Sequence, residues 1–293
     1  MKSFFRTASI LLFLVCITGS NVFAQNSGAM DALEKSNQLL SSGNIEAAVN
    51  VLNKAINDQP HFAMLYLQRG IIAGMQNKLG EAVEDFSAAI ERDSGLADAY
   101  YSRALAYSKM GKYDQAIADY GRTVKVDESY APAYYNRGLL YFSRLNYQVA
   151  IEDFQSAIRA RPGYAKAYYN LGLSFDRLGN YSMAERNYDM AVKSDPSYSE
   201  AYFNLGMLRY ENRRYEEGME FFEKVISIDP EMAMAYYNIA VGYEHLKEME
   251  KAKANFLKFI ELAETSDSLL VHELKNEKLD QIDDYIERHQ KKE

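Results

Sequence analysis

The chain carries a single cysteine, Cys16, so no intrachain disulfide can form. Its four histidines, His61, His245, His272 and His289, are scattered at no metal-ligand spacing. There is no glycine-rich phosphate loop and no nucleophile-elbow pattern. The longest apolar stretch, Ala8 to Ile17, falls short of the roughly 20 residues that span a bilayer. Basic residues are outnumbered, and the formal net charge of −8 argues against nucleic acid or an anionic membrane as partner. Together these absences point away from catalysis. Neither an enzyme nor a cofactor or metal is expected.

What is present at the amino terminus reads as an export signal. Lys2 and Arg6 make a charged start, Ala8 to Ile17 an apolar core, and Val22-Phe23-Ala24 a small-residue cleavage site. Residues 1–24 are expected to be removed, leaving a chain that begins at Gln25 and has no cysteine, in keeping with an oxidising compartment. Loss of Lys2 and Arg6 takes the net charge from −8 to −10. Cys16 sits inside the apolar run, not after a small residue at its end, so lipidation is not expected. The mature chain is expected to be periplasmic or secreted, not cytoplasmic, with no stable membrane insertion.

The rest of the chain is periodic. Tyr66, Tyr100, Tyr134, Tyr168, Tyr202 and Tyr236 stand 34 residues apart. Ala48, Ala82, Ala116, Ala150 and Ala184 keep the same step, continued by Gly218 and Ala252. Pro60, Pro162, Pro196 and Pro230 close their repeats. A period of this length signifies stacked supersecondary units, none able to bury its apolar face alone. Seven repeats cover 29–266 as 29–62, 63–96, 97–130, 131–164, 165–198, 199–232 and 233–266, after a short lead at 25–28. Each holds two runs at helical spacing; in repeat four these are Tyr134, Leu139, Tyr141 and Phe142, then Val149, Ile151, Phe154 and Ile158. Gly43, Gly111 and Gly179 mark the intervening turn in repeats one, three and five. Small residues at positions 8 and 20 allow close approach of the paired helices, as with Gly172 and Ala184. Ser266 to Ser268 offer helix N-caps, and Leu270, Leu274, Ile282 and Ile286 give a partly apolar face, so 267–293 is expected to be a capping helix with a charged tail.

The fourth and fifth repeats, APAYYNRGLLYFSRLNYQVAIEDFQSAIRARP and AKAYYNLGLSFDRLGNYSMAERNYDMAVKSDP, resemble the tetratricopeptide repeat. The resemblance implies an all-α, right-handed superhelical α-solenoid of antiparallel helix pairs. It also implies that the first helix of each pair lines a concave surface, where several family members hydrogen-bond an extended peptide through asparagine at position 6.

That position carries Gln68, Ser102, Asn136, Asn170, Asn204 and Asn238. An amide both donates and accepts, matching a peptide N–H and C=O without reading side chains. Position 5 adds Leu67, Tyr101, Tyr135, Tyr169, Phe203 and Tyr237, and position 9 adds Leu139 and Leu173 among others. The candidate peptide groove is therefore Gln68, Asn136, Asn170, Asn204, Asn238, Tyr101, Tyr135, Tyr169, Phe203, Tyr237, Leu139 and Leu173. Against this stands the alternative that asparagine here is ordinary consensus, held by neighbouring helices. Lys166 and Arg177 flank Asn170, but the full basic clamp that some family members close on a carboxylate terminus is missing.

A second pattern is paired. Arg69, Arg103 and Arg137 at position 7 accompany Asp85, Asp119 and Asp153 at position 23. Repeats five and six have Leu171 and Leu205 at position 7, and Asn187 and Phe221 at position 23. Charges that appear and vanish together point to contacts between the two helices of a repeat, with a basic patch as the rival reading. Asn180-Tyr181-Ser182 matches a glycosylation acceptor at the turn of repeat five. The function expected is a scaffold or adaptor for a protein or peptide, with an envelope assembly element acting through its outer face as the alternative.

Overall fold

The computed structural model describes residues 20–263, 271 and 274–290, and all regular structure among them is helical. By internal contacts the chain falls into two halves, Met1–Leu145 and Asn146–Glu293. The first holds α1 (Ser20–Ser41), α2 (Ile45–Asp58), α3 (Ala63–Met75), α4 (Leu79–Arg92), α5 (Ala97–Lys109), α6 (Tyr113–Val126) and α7 (Ala131–Ser143). In it α1 packs on α2, α3 on α4, α5 on α6, and α7 on α6. The second holds α8 (Tyr147–Ala160), α9 (Ala165–Arg177), α10 (Tyr181–Ser194), α11 (Ser199–Glu211), α12 (Tyr215–Ile228), α13 (Ala233–His245) and α14 (Met249–Ala263). A π-helical turn, Leu274–Lys278, and α15 (Leu279–Gln290) follow. Here α8 packs on α9, and α9–α10, α11–α12 and α13–α14 are paired.

The helices are short, and their stability comes from the apolar side that each buries. The alanines at position 20, from Ala48 to Ala252, have no exposed surface. Opposite them, a Cβ on Gly172 would lie 2.7 Å from the Tyr188 ring and 3.2 Å from the Ala184 carbonyl oxygen. The ring at position 24 thus rests on the glycine at position 8, as Phe86 does on Gly70 and Phe222 on Gly206.

Position 15 makes the turn between paired helices, and it is left-handed in every repeat. Gly43, Gly111 and Gly179 have φ of 78°, 74° and 75°, but Asn77, Leu145, Arg213 and Lys247 adopt φ of 57–66° as well. Four residues thus stand where glycine is the natural choice. Asn44 and Asn180, one position later, cap α2 and α10 by accepting from the Ala47 and Met183 amides.

The ends depart from the repeat. α1 begins at Ser20, so the lead expected at 25–28 lies inside a continuous helix with no proline or paired break to stop it. The apolar run at 8–17 lies outside the described residues, as do Ser266 to Ser268 and Leu270. At the other end, Val271, Leu274 and Ile282 are buried against Phe256, Phe259 and Ile260. Lys253 holds Asp283 at 2.5 Å and Lys278 holds Glu244 at 2.6 Å. The closing helix therefore covers the apolar flank of α14, as a terminal cap must.

Candidate functional site

The position-6 amides are already engaged: Gln68, Asn136 and Asn204 bond neighbouring helices, and Asn170 and Asn238 bond their own. Gln68 Nε2 donates to Asn37 Oδ1 at 2.8 Å, joining α3 to α1. Asn136 Nδ2 donates to the Tyr101 hydroxyl at 3.0 Å, joining α7 to α5. In the second half, Asn204 Nδ2 reaches the Tyr169 hydroxyl at 3.5 Å, joining α11 to α9. Asn170 and Asn238 donate back along their own helices, to the Lys166 and Met234 carbonyl oxygens, both at 2.8 Å. Asn238 keeps 7% of its surface exposed, and the Tyr210 hydroxyl donates to its backbone oxygen. The reading in which neighbouring helices hold these amides therefore has direct geometric support. A ligand at the partly exposed amides would have to compete with bonds already made.

The apolar neighbours are better placed for contact. Tyr101, Tyr135 and Leu139 in the first half, and Tyr169, Leu173, Phe203 and Tyr237 in the second, are all partly exposed, whereas Leu67 is buried. Two methionines extend the second-half set: Met207 at position 9 is 36% exposed and Met234 at position 2 is 42% exposed. Lys166, Arg177, Glu200 and Glu211 edge this face and leave it mixed in charge.

Two tyrosine clusters underlie the face. Tyr101 packs against Tyr120 and Tyr130 at ring separations of 5.8 and 4.9 Å, and Tyr169 against Tyr188 and Tyr198 at 5.8 and 5.0 Å. The second cluster repeats the first 68 residues later. Burial pushes the Tyr120 hydroxyl up to about 12, offset in part by Asn136. Burial likewise raises Tyr188, and Tyr130, whose hydroxyl donates to Asp98 at 2.8 Å, is raised by burial and by that carboxylate. These groups stay protonated and act as hydrogen-bonding packing groups. Tyrosine at both positions 5 and 24 of repeats three and five was the sequence signal for them.

A tetratricopeptide repeat family model matches residues 33–97, 101–165 and 169–233, and a second one matches 233–266. The chain belongs to the tetratricopeptide repeat family. Among solved structures, it is 30% identical to YrrB, described as a TPR protein with an unusual peptide-binding site. That match covers 66% of this chain and 98% of YrrB, with a TM-score of 0.56. A tetratricopeptide repeat protein from Parabacteroides merdae is 23% identical over 85% of this chain and 97% of its own, with a TM-score of 0.57. The C-terminal part of a TPR repeat-containing protein from Cytophaga hutchinsonii is 18% identical over 80% and 96%, with a TM-score of 0.68. The last two show the fold alone. No match is found among curated proteins.

Tetratricopeptide arrays generally mediate protein–protein interactions and are typically non-catalytic scaffolds. In this one the Arg–Asp pairs are part of the scaffold. Arg69 grips Asp85 with two bonds, 2.9 and 2.6 Å, and Arg103 grips Asp119 at 2.7 and 3.0 Å. The remaining guanidinium arm reaches the preceding repeat: Arg69 donates to Asn53 Oδ1 and Arg103 to Ser87 Oγ. Each arginine therefore ties three helices, and position 25 supplies the third partner that the pairing pattern did not reveal. The carboxylate is the main cause of the raised Arg69 pKa; for Arg103 burial, the largest influence, opposes the rise that Asp119 produces. Arg137 and Asp153, the third expected pair, lie one in each half. In repeat five Leu171 and Asn187 are buried without charge, and the Asn187 amide donates to the Met183 oxygen. In repeat six an arginine at position 11 instead, Arg209, pairs with Glu185 at 2.5 Å.

The other candidates have plain roles. His245 stacks on Tyr215 at 4.2 Å, and Asn180 caps a helix. Among the described residues no His, Cys, Asp and Glu cluster has the makings of a metal site, and no helix is long and apolar enough to cross a membrane.

Proposed function

We propose that this protein is a non-catalytic adaptor that binds an extended segment of a partner protein on the face built by its first helices. The observation that carries this reading is the row of partly exposed aromatic and aliphatic side chains beside the amides. In the second half these are Tyr169, Leu173, Phe203, Met207, Met234 and Tyr237. Exposed apolar groups rimmed by charge mark interaction surfaces, and methionine adapts to varied partners. The peptide-binding site named for YrrB, which this chain matches over 98% of YrrB's length, points the same way. Asn170 and Asn204 contribute whatever hydrogen-bonding capacity the neighbouring helices leave, at ~0.5–1.5 kcal/mol net per bond.

A second reading places the partner on the outer edge, at the turns. It is favoured by exposed Tyr113 and Leu145 in the first half and by exposed Leu178 and Tyr181 in the second. Capture of partners from the native host separates the two. A chain with Asn170, Leu173 and Met207 changed to alanine should lose its captured partner with helicity intact. Retention of the partner, with loss on changing Tyr113 and Tyr181 to serine, would favour the edge.

The same reading places the adaptor in the cell envelope or outside the cell, supported by the basic start, apolar run and Val22-Phe23-Ala24 site. Mass measurement of the native protein should give a chain beginning at Gln25. An intact Met1 terminus on the exported protein would refute export by cleavage.

A further inference from the structure

Where repeat five drops the Arg–Asp pair, a cleft of about 320 Å³ opens between α8, α9 and α10. Its lining is Tyr168, Leu171 and Phe175 from α9, Met183 and Met190 from α10, and the polar side chains of Gln155, Arg186 and Asn187. Tyr168, Leu171 and Phe175 recur at helical spacing on the side of α9 away from Asn170 and Leu173. The cleft is thus separate from the first-helix face. In repeat two the corresponding region is polar, lined by Arg69, Asp85 and Asn53 together with Glu46, Glu81 and Glu84. One lattice of positions therefore gives an ion-paired cleft in repeat two and an apolar one in repeat five.

We propose that the repeat-five cleft is a second peptide-binding site, taking one bulky apolar side chain that stands beside an aspartate or glutamate. Its volume of about 320 Å³ is enough to admit one bulky side chain. Two thioethers beside two aromatic rings give walls that adjust to the shape of the guest. The acidic neighbour follows from charge. Arg186 is exposed at the rim, and among the described residues it takes part in no ion pair. A carboxylate on the guest supplies that pair, and arginine can hold it with two parallel bonds.

The test uses the full chain with methyl-labelled methionine and the blocked peptide acetyl-Gly-Ser-Phe-Glu-Ser-Gly-amide. The peptide should shift the Met183 and Met190 methyl resonances saturably. Serine in place of phenylalanine should abolish the shift, and lysine in place of glutamate should weaken binding at least fivefold. Leu171→Arg with Asn187→Asp restores the pair that the chain itself uses at Arg69–Asp85, with Gln155 standing where Asn53 accepts the free arm. This variant should keep its helicity and lose the shifts. Arg186→Glu, at an exposed position, should reverse the preference toward the lysine peptide. Alanine at Asn170 and Leu173 should leave the shifts unchanged, which separates this site from the first-helix face. No saturable shift at millimolar peptide, equal shifts from the serine peptide, or an unaltered preference in Arg186→Glu would overturn the proposal.

Discussion

Leu145 stands at φ 61° with 72% of its surface exposed, so its side chain gains little burial in return for the strain. A left-handed L-residue costs ~1–2 kcal/mol, and replacing it by glycine gives back ~0.4–1 kcal/mol through the freer unfolded chain. Leu145→Gly should therefore raise stability by ~0.5–1 kcal/mol, while Gly111→Ala, at φ 74°, should lower it by a similar amount. Urea unfolding of the two variants checks the opposite signs. Overpacking gives a larger effect. Gly172→Ala places a methyl 2.7 Å from the Tyr188 ring, so the ring must move, and a loss of ~1–3 kcal/mol is expected. Hydrogen exchange should place that loss in repeat five and its neighbours, because coupling in an array runs between adjacent repeats. Tyr120 sets a pH limit. Its hydroxyl ionises near 10 when unfolded and at about 12 when folded. The raised value means that its contribution is whole below pH 10 and is lost as pH climbs toward 12. Alkaline unfolding should steepen over that window, and Tyr120→Phe should remove part of the slope.

At the scale of the helix pair, the Arg69–Asp85 contact offers a clean cycle. Asp85 accepts both of its bonds from Arg69, whereas Asp119 has Arg122 as well as Arg103. Removing one partner of a buried pair costs ~3–5 kcal/mol, and less is expected here because Arg69 is partly exposed. Arg69→Leu or Asp85→Asn alone should each be more destabilising than the two together, since the double variant is the solution that repeat five already uses as Leu171 and Asn187. Thermal unfolding of the four proteins tests this, and additive losses would contradict it. The pairing was legible in the sequence because the charges disappear together. The reach to Asn53 and Ser87 was not, because position 25 changes residue type from repeat to repeat and includes Gly121 and Leu257, which have no accepting side chain. The turn was half legible for a similar reason: three glycines announced it, while Leu145, Arg213 and Lys247 carry no such mark.

For the whole molecule, the 34-residue step was enough to read the helix pairs, since the first helices from Ala63 to Ala233 begin on that grid. The proposed binding face was legible only as a set of positions. The step gives Asn136, Asn170, Asn204 and Asn238 the same repeat position, but it says nothing of what each amide already holds. Tyr101 and Tyr169 take up two of them, and Asn238 is nearly covered. On the proposed function, the energetic weight of partner binding is accordingly expected on Leu173, Phe203, Met207 and their neighbours more than on the amides.

The most direct measurement is the affinity of a peptide selected from a random display library on the intact chain, compared across two variants. One has Asn170, Leu173 and Met207 changed to alanine; the other has Tyr113 and Tyr181 changed to serine, with circular dichroism as the folding control for both. A first-helix binding face predicts at least a tenfold loss in the first variant, or ~1.4 kcal/mol, and none in the second. Full affinity in a folded first variant, with loss in the second, would contradict it.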